Sequence, residues 1–479
     1  MEILTMGTNL LYLACAGILA DAGIIAYKSF TKVSKTGSAY KGKPKEIENY
    51  LGTTGARLSM NVQLSENAMY EHVIVFGKTG SKKTTTQYLP NLLSNDFPKS
   101  SLIIFDMKGE IFEATSNYQQ NTCGRKVVVY SPLRPEISIG INPLAICEDI
   151  TQIRKLAMVL IANADKSFSE SSSGGAEWKN MTMSLMCAAL AYCKHKGGEQ
   201  CNITSALDLV VNHTNNELEM LFRNSTTEVM DQWNIFKTCL NATGGISSSI
   251  KITLASALQI FLDYKIAATS SKDEFRPEML RKTPIALYVI YPETSSDYIA
   301  PLMATIFSQL IDYNLEYFDK NPKSLPIFNF LDEYCNAGYL PAFNHTITAA
   351  RSRKFSFNIC IHDVRQLFRL YGQDLTYTIL NNASCKVVLP GISEPTTLDF
   401  ISTIAGESEI SIQNESTTGE KTTVNTSKQK KRLYTSNEVR CLDDDTCLII
   451  INNKQAVPDK LNIYHKHKIY NDRVVKQYL

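Results

Sequence analysis

Between His72 and Leu93 the apolar run HVIVF empties into Gly77-Lys78-Thr79-Gly80-Ser81-Lys82-Lys83-Thr84, then into a segment of helical composition. A strand, a glycine loop and a helix start in that order form a phosphate cradle. Backbone N–H groups of such a loop surround the phosphates, its lysine reaches the terminal ones, and its hydroxyl binds magnesium. Gly77, Lys83 and Thr84 fit the pattern G-x-x-x-x-G-K-[ST], and Gly80 adds a flexible point. Lys82 stands where the second glycine belongs. A lysine there brings a long side chain and a Cβ to a position that favours a bare backbone.

Phosphoryl transfer needs more than a cradle, and the chain supplies further groups in the right kind of place. Asp332 and Glu333 end the apolar run IFNFL: Asp332 is placed to organise magnesium, and Glu333 to orient the attacking water. Asp106 ends the run SLIIF, with Glu110 just beyond. Arg351 and Arg353 precede the run FNICI and suit an arginine finger. His362 ends that run, where a sensor of the γ-phosphate belongs.

Eight apolar runs position these groups: residues 72–77, 101–106, 126–131, 285–291, 327–332, 357–362, 385–390 and 447–452. They lack in-out alternation and lead into polar or glycine residues, as strands buried on both faces of a parallel sheet do. The expected fold class is therefore α/β, a P-loop core with a mostly parallel sheet. Residues 150–275 differ, reading as successive amphipathic helices inserted between strands. The division expected is 1–34 for an N-terminal helix, 35–149 for the first part of the nucleotide-binding domain, 150–275 for the all-α insert, and 276–479 for the second part. Residues 407–429 are polar and rich in Ser and Thr, a loop or an exposed hairpin.

The chain of 479 residues carries a net charge of +2, which excludes wholesale electrostatic binding to nucleic acid and leaves local patches open. Its 12 cysteines form no C-x-x-C pair and several lie in apolar runs, which fits buried thiols better than disulfides or zinc. The run from Leu10 to Tyr27 has one charge, Asp21, and is followed by Lys28, Lys32, Lys41, Lys43 and Lys45. That asymmetry predicts a single-pass transmembrane helix with the body of the protein cytoplasmic. The alternative is a buried or interfacial helix.

The strings EHVIVFGKTGSKKT, LIIFDMKGEIFEAT, GINPL, LPIFNFLDEYCNAGYLPAF and AARSRKFSFNICIHDVRQLFRLYG resemble the coupling proteins of type IV secretion and bacterial conjugation, the TraG/TraD type. The resemblance spans nearly everything from residue 35 onward. It implies a membrane-anchored, RecA-like ATPase that uses ATP and Mg2+, assembles as a homo-hexamer, and passes a relaxase bound to single-stranded DNA, or protein substrates, to membrane proteins of the secretion channel. It further implies that Gly77, Thr79, Gly80, Ser81, Lys82, Lys83 and Thr84 form the phosphate loop, that Thr84 and Asp332 serve magnesium, and that Glu333 serves water. Arg351 matches an arginine directed at a neighbouring subunit's nucleotide. The chain departs from the family at Lys82, and at His362-Asp363, where the family has glutamine and serine. An ATP-driven motor and a catalytically weak or inactive scaffold both remain open, with a chromosome-segregation type of DNA translocase as a third reading.

Overall fold

The computed structural model describes residues 34–35, 40–164, 175–243, 247–418 and 421–478. Its strands in chain order are β1 (Ser34–Lys35), β2 (Val73–Phe76), β3 (Ser101–Asp106), β4 (Lys126–Tyr130), β5 (Ile285–Ile290), β6 (Ile327–Leu331), β7 (Phe355–Ile361), β8 (Cys385–Val388), β9 (Glu407–Thr418), β10 (Lys421–Arg432), β11 (Thr446–Ile451) and β12 (Val457–Lys460). All eight apolar runs are strands. Nine strands form one sheet in the order β12-β11-β8-β2-β7-β6-β3-β5-β4.

From β8 to β4 every pairing is parallel. β11 runs antiparallel to β8, and β12 antiparallel to β11. The run at 447–452 thus departs from the parallel reading, and the short turn from β11 into β12 suits an antiparallel pair, which needs no crossover helix. Strands β2, β3, β5, β6 and β7 are buried at every residue. Removing each large side chain from water contributes roughly 1.5–3 kcal/mol, which is why these runs show no alternation. Two apolar cores cover the two faces, one including Ile74, Phe76, Ile103 and Phe105, the other Val73, Val75, Leu102 and Ile104.

Between β4 and β5 the chain is helical from Ile150–Ala164 to Tyr264–Ser270. The stretch that ends the insert is broken into a helix Ser247–Leu258, a 3-10 turn Gln259–Leu262, and the helix that Asp263 caps. A helix the sequence reading missed, Thr227–Thr243, precedes them in chain order. The polar tract at 407–429 is a long hairpin, β9 with β10, and β1 pairs along β9. The membrane helix expected within 1–34 lies outside the described residues. Among the described residues no helix is long and apolar enough to cross a membrane.

Candidate nucleotide site

Parallel pairing sets the site. Phe76 is opposite Ile361, Leu331 opposite Ile359, and Phe105 opposite Leu331, so the chain leaves β2, β7, β6 and β3 at one edge of the sheet. Crevices beyond the C-terminal ends of parallel strands are where such sheets bind ligands. The loop after β2, the Asp332–Glu333 pair after β6, His362 after β7 and Asp106 at the end of β3 therefore meet, although they are up to 285 residues apart in sequence.

The loop is tight where it must be. A Cβ on Gly77 would lie 2.5 Å from Ser81 Oγ and 2.9 Å from Leu389 Cδ1, whereas Gly80 has φ +80 and open space around it. Thr79 and Gly80 are exposed, and Thr84 is half-buried at the start of a wide helical turn, Thr84–Tyr88, that continues into Leu89–Leu92.

Lys82 adopts φ +65, the left-handed conformation that suits the glycine expected there. For a residue with a Cβ this costs about 1–2 kcal/mol. Its side chain runs outward, and Nζ donates to the Asp444 carbonyl at 2.9 Å, in the turn before β11. The anomaly in the motif thus leaves the loop's inner side to Lys83.

Lys83 points inward and is 7% exposed. Its Nζ donates to Glu333 Oε1 at 3.4 Å and to His362 Nδ1 at 3.4 Å, and His362 Nε2–H donates to Glu333 Oε1 at 3.3 Å. In this tautomer the three side chains close a triangle. Nδ1 also lies 3.2 Å from the Gly77 carbonyl, a contact that becomes a hydrogen bond only when Nδ1 carries the proton in place of accepting from Lys83. The His362 hydrogen bond, with Lys83 beside it, holds the Glu333 carboxyl down to about 2. Glu333 itself is left-handed, φ +53, and its Oε2 accepts from Asn336 Nδ2 at 3.1 Å. Strained residues at both corners of a site are a mark of function.

Asp332 behaves oppositely. Burial pushes its carboxyl up to about 7, against the pull of Lys83 and with Glu333 and Asp106 adding to the rise. Its Oδ1 is buried without a hydrogen-bond partner, as is Ser81 Oγ. Buried polar atoms left unpaired cost about 1–3 kcal/mol each. Two of them beside a buried lysine fit a loop that takes phosphate oxygens and a carboxylate that takes a cation. Among the described residues no three His, Cys, Asp or Glu side chains cluster as a metal cage, and magnesium beside phosphates needs only one or two carboxylates.

Asp106 is engaged locally. It accepts from the backbone N–H of Gly109 at 2.9 Å, Phe112 at 2.8 Å and Lys108 at 3.3 Å, fastening the start of the helix Glu110–Asn121.

Arg351 and Arg353 are not brought to this edge. They form a 3-10 turn that precedes β7, at the opposite end of the strand whose far end carries His362. Arg353 is paired with Asp319, Nε to Oδ1 at 2.8 Å and Nη2 to Oδ2 at 2.9 Å. Arg351 is 63% exposed and bonds Glu71, itself held by Asn452. A residue the sequence reading missed organises the turn. Arg281 is 1% exposed, and its guanidinium donates to the carbonyls of Asn314 (3.2 Å), Leu325 (2.8 Å) and Arg353 (2.9 Å) between the rings of Phe318 and Phe355. No local pattern in the sequence hinted at this.

A family profile described as type IV secretory system conjugative DNA transfer matches residues 9–478. The VirD4 protein of Rhizobium rhizogenes is 25% identical over 424 residues, covering 86% of this chain and 60% of that protein. The conjugal transfer protein TraG of Escherichia coli is 20% identical over 404 residues, covering 79% and 61%. The chain thus spans about 60% of the length of these curated relatives. Among solved structures, the bacterial conjugative coupling protein TrwB (its ΔN70 form) superposes with a TM-score of 0.70 at 15% identity, covering 90% of this chain and 94% of that one. TrwB in complex with ADP and Mg2+ gives 0.66 at 14%, covering 90% and 94%.

Proposed function

From the premise that the chain belongs to the family of type IV secretory system conjugative DNA transfer proteins, as a coupling protein of type IV secretion, we propose that it is an ATP-driven motor. In this reading it delivers relaxase-bound single-stranded DNA, protein substrates or both to the membrane proteins of a secretion channel. The observation that carries the reading is the triangle of Lys83, Glu333 and His362 closed over Gly77. In this reading the phosphates lie between the loop and the two carboxylates.

Bound Mg2+–ATP supplies the phosphoanhydride bond whose hydrolysis drives transport. Lys83 and the loop from Gly77 to Thr84 would hold the phosphates, and Thr84 and Asp332 would hold magnesium. Lys83, paired with Glu333 in this structure, would exchange that partner for the phosphates on nucleotide binding. Glu333 then loses a cationic partner, its carboxyl becomes more basic, and it orients the water and holds its proton. His362 donates where charge develops. Arg351, exposed at the far edge of the sheet, acts on the site of a neighbouring subunit in a homo-hexamer. An anchor helix within residues 1–34 holds this assembly at the cell membrane with its body in the cytoplasm.

The second reading, a scaffold with little or no turnover, is favoured by the left-handed strain at Lys82 and its tether to Asp444. The deciding experiment is ATP turnover of the full chain with and without single-stranded DNA, alongside Lys83→Ala and Lys82→Gly. Turnover lost in Lys83→Ala supports the motor. A silent wild type that gains turnover as Lys82→Gly establishes the scaffold.

A further inference from the structure

The helix Ile150–Ala164 ends against the turn that carries Glu333, and one side chain makes the junction. Asn163 Oδ1 accepts from the backbone N–H of Tyr339 at 2.6 Å, and its Nδ2 donates to the Tyr339 carbonyl at 2.8 Å and to the Val159 carbonyl at 2.9 Å. A side-chain amide has one acceptor and two N–H groups to spend. Asn163 places one of each on a single residue 176 positions away, as a neighbouring strand would, and anchors the other N–H in its own helix.

The partner segment is shaped for this clasp. Gly338 has φ +89, and a Cβ there would lie 2.7 Å from Asn163 Oδ1 and 3.1 Å from the Ala300 carbonyl. Only a residue without Cβ lets Tyr339 approach. From Tyr339 back to Glu333 the chain is a short 3-10 turn, Tyr334–Ala337, with little freedom of its own. The Tyr334 and Tyr371 hydroxyls pair at 2.7 Å, and Tyr291 OH donates to the Asn336 carbonyl at 3.3 Å. Asn336 closes the path twice, its N–H on the Glu333 carbonyl at 2.8 Å and its Nδ2 on Glu333 Oε2 at 3.1 Å.

We propose that Asn163 is a positioning residue that couples the helical region between β4 and β5 to Glu333, so that a shift of the helix Ile150–Ala164 resets the Glu333 carboxylate and nucleotide binding is felt in that helix. This rests on the reading of Glu333 as the water-orienting group of a nucleotide site. Asp at this position retains the acceptor but sets a second oxygen against the Tyr339 and Val159 carbonyls, so Asn163→Asp and Asn163→Ala both release the turn. Misplacing a catalytic group by a fraction of its reach lowers turnover on the order of 10- to 100-fold without weakening ligand binding.

The test uses the full chain, with hydrogen exchange measured with and without Mg2+ and a non-hydrolysable ATP analogue, and with turnover measured in parallel. Expected in the wild type is nucleotide-dependent protection both over residues 77–88 and over residues 155–164. In Asn163→Ala and Asn163→Asp the first remains and the second disappears, with kcat down and KM for ATP within about twofold. As a second handle, Asn336→Ala cuts the path at its other end, and the double variant with Asn163→Ala is no slower than the slower single one. Protection over 77–88 with no change over 155–164 in the wild type overturns the coupling alone. So does equal protection of 155–164 in the variants, or additive losses of turnover. Absence of protection over 77–88 in the wild type removes the nucleotide site and the coupling with it.

Discussion

The two edges of the central sheet both collect charge, and they spend it differently. At the edge where β2, β6 and β7 end, Lys83, Glu333 and His362 neutralise one another at 3.3–3.4 Å. There Asp332 Oδ1 and Ser81 Oγ remain buried without partners, and Lys82 and Glu333 are left-handed. At the edge where the same strands begin, the charged side chains are paired, although Asn314 Oδ1 and Ser324 Oγ are buried without partners there as well. His72 Nε2 meets the Ile347 carbonyl at 2.7 Å while Nδ1 accepts from Phe357 N–H at 3.1 Å, Arg281 is surrounded by carbonyls, and Arg353 grips Asp319. One edge gathers its lysine, carboxylates and histidine around a phosphate loop, and the other uses its charged groups to hold elements together. Arg351 is the exception, exposed at this second edge with Glu71 as its ion-pair partner.

The comparison can be broken by substitution. The largest effect is expected at the ligand edge, where Glu333→Gln lowers turnover by about 10²–10⁴-fold while nucleotide binding persists. Undiminished turnover would remove catalysis from that edge. Next comes Arg281→Met, which leaves several buried carbonyls unpaired and lowers unfolding stability by about 3 kcal/mol. A urea midpoint shifted by much less would show that the opposite edge is not a structural clamp.

A smaller effect is tied to pH. Burial pulls the His72 ring down to about 4, against an ordinary value of 6.5. Below 6.5 the unfolded chain takes up a proton that the folded chain refuses. Stability is therefore lost as pH falls from 6.5 towards 4, by about 1.4 kcal/mol per pH unit. Chemical unfolding at stepped pH should show the stability of the wild type falling relative to that of His72→Gln by that slope between pH 6.5 and 4, and a pH-independent difference would remove the effect. The smallest change is Lys82→Gly, in which relief of strain is offset by a more flexible unfolded chain, so that stability moves by less than about 1 kcal/mol. Turnover should rise as the loop is freed from Asp444. A fall would give the Lys82 charge a part in holding phosphate.

Much of the site was legible along the chain. The loop from Gly77 to Thr84 and the carboxylates at the ends of β3 and β6 stand out because strand ends are marked by apolar runs stopping at polar residues. The insert was legible by helical periodicity, although the Thr227–Thr243 helix was overlooked and the break near Leu258 was not foreseen. Arg353 read as well as Arg351 for a finger, since nothing in sequence reveals that Asp319 lies within 2.8 Å of it. Arg281 and Asn163 carried no signal at all, because their partners are backbone groups, which every residue has.

By itself, then, the sequence determined the local chemistry: a phosphate loop, buried strands, their terminal carboxylates and a family resemblance covering most of the chain. Hydrophobic periodicity and short motifs encode these over a few residues. Only the tertiary structure decided which groups meet. Parallel register set Lys83 against Glu333 and His362 across 250 and 279 positions. The turn before β11 drew Lys82 outward, and strand direction carried Arg351 to the far edge. Those outcomes depend on distances closed by the whole core, and no local pattern records them.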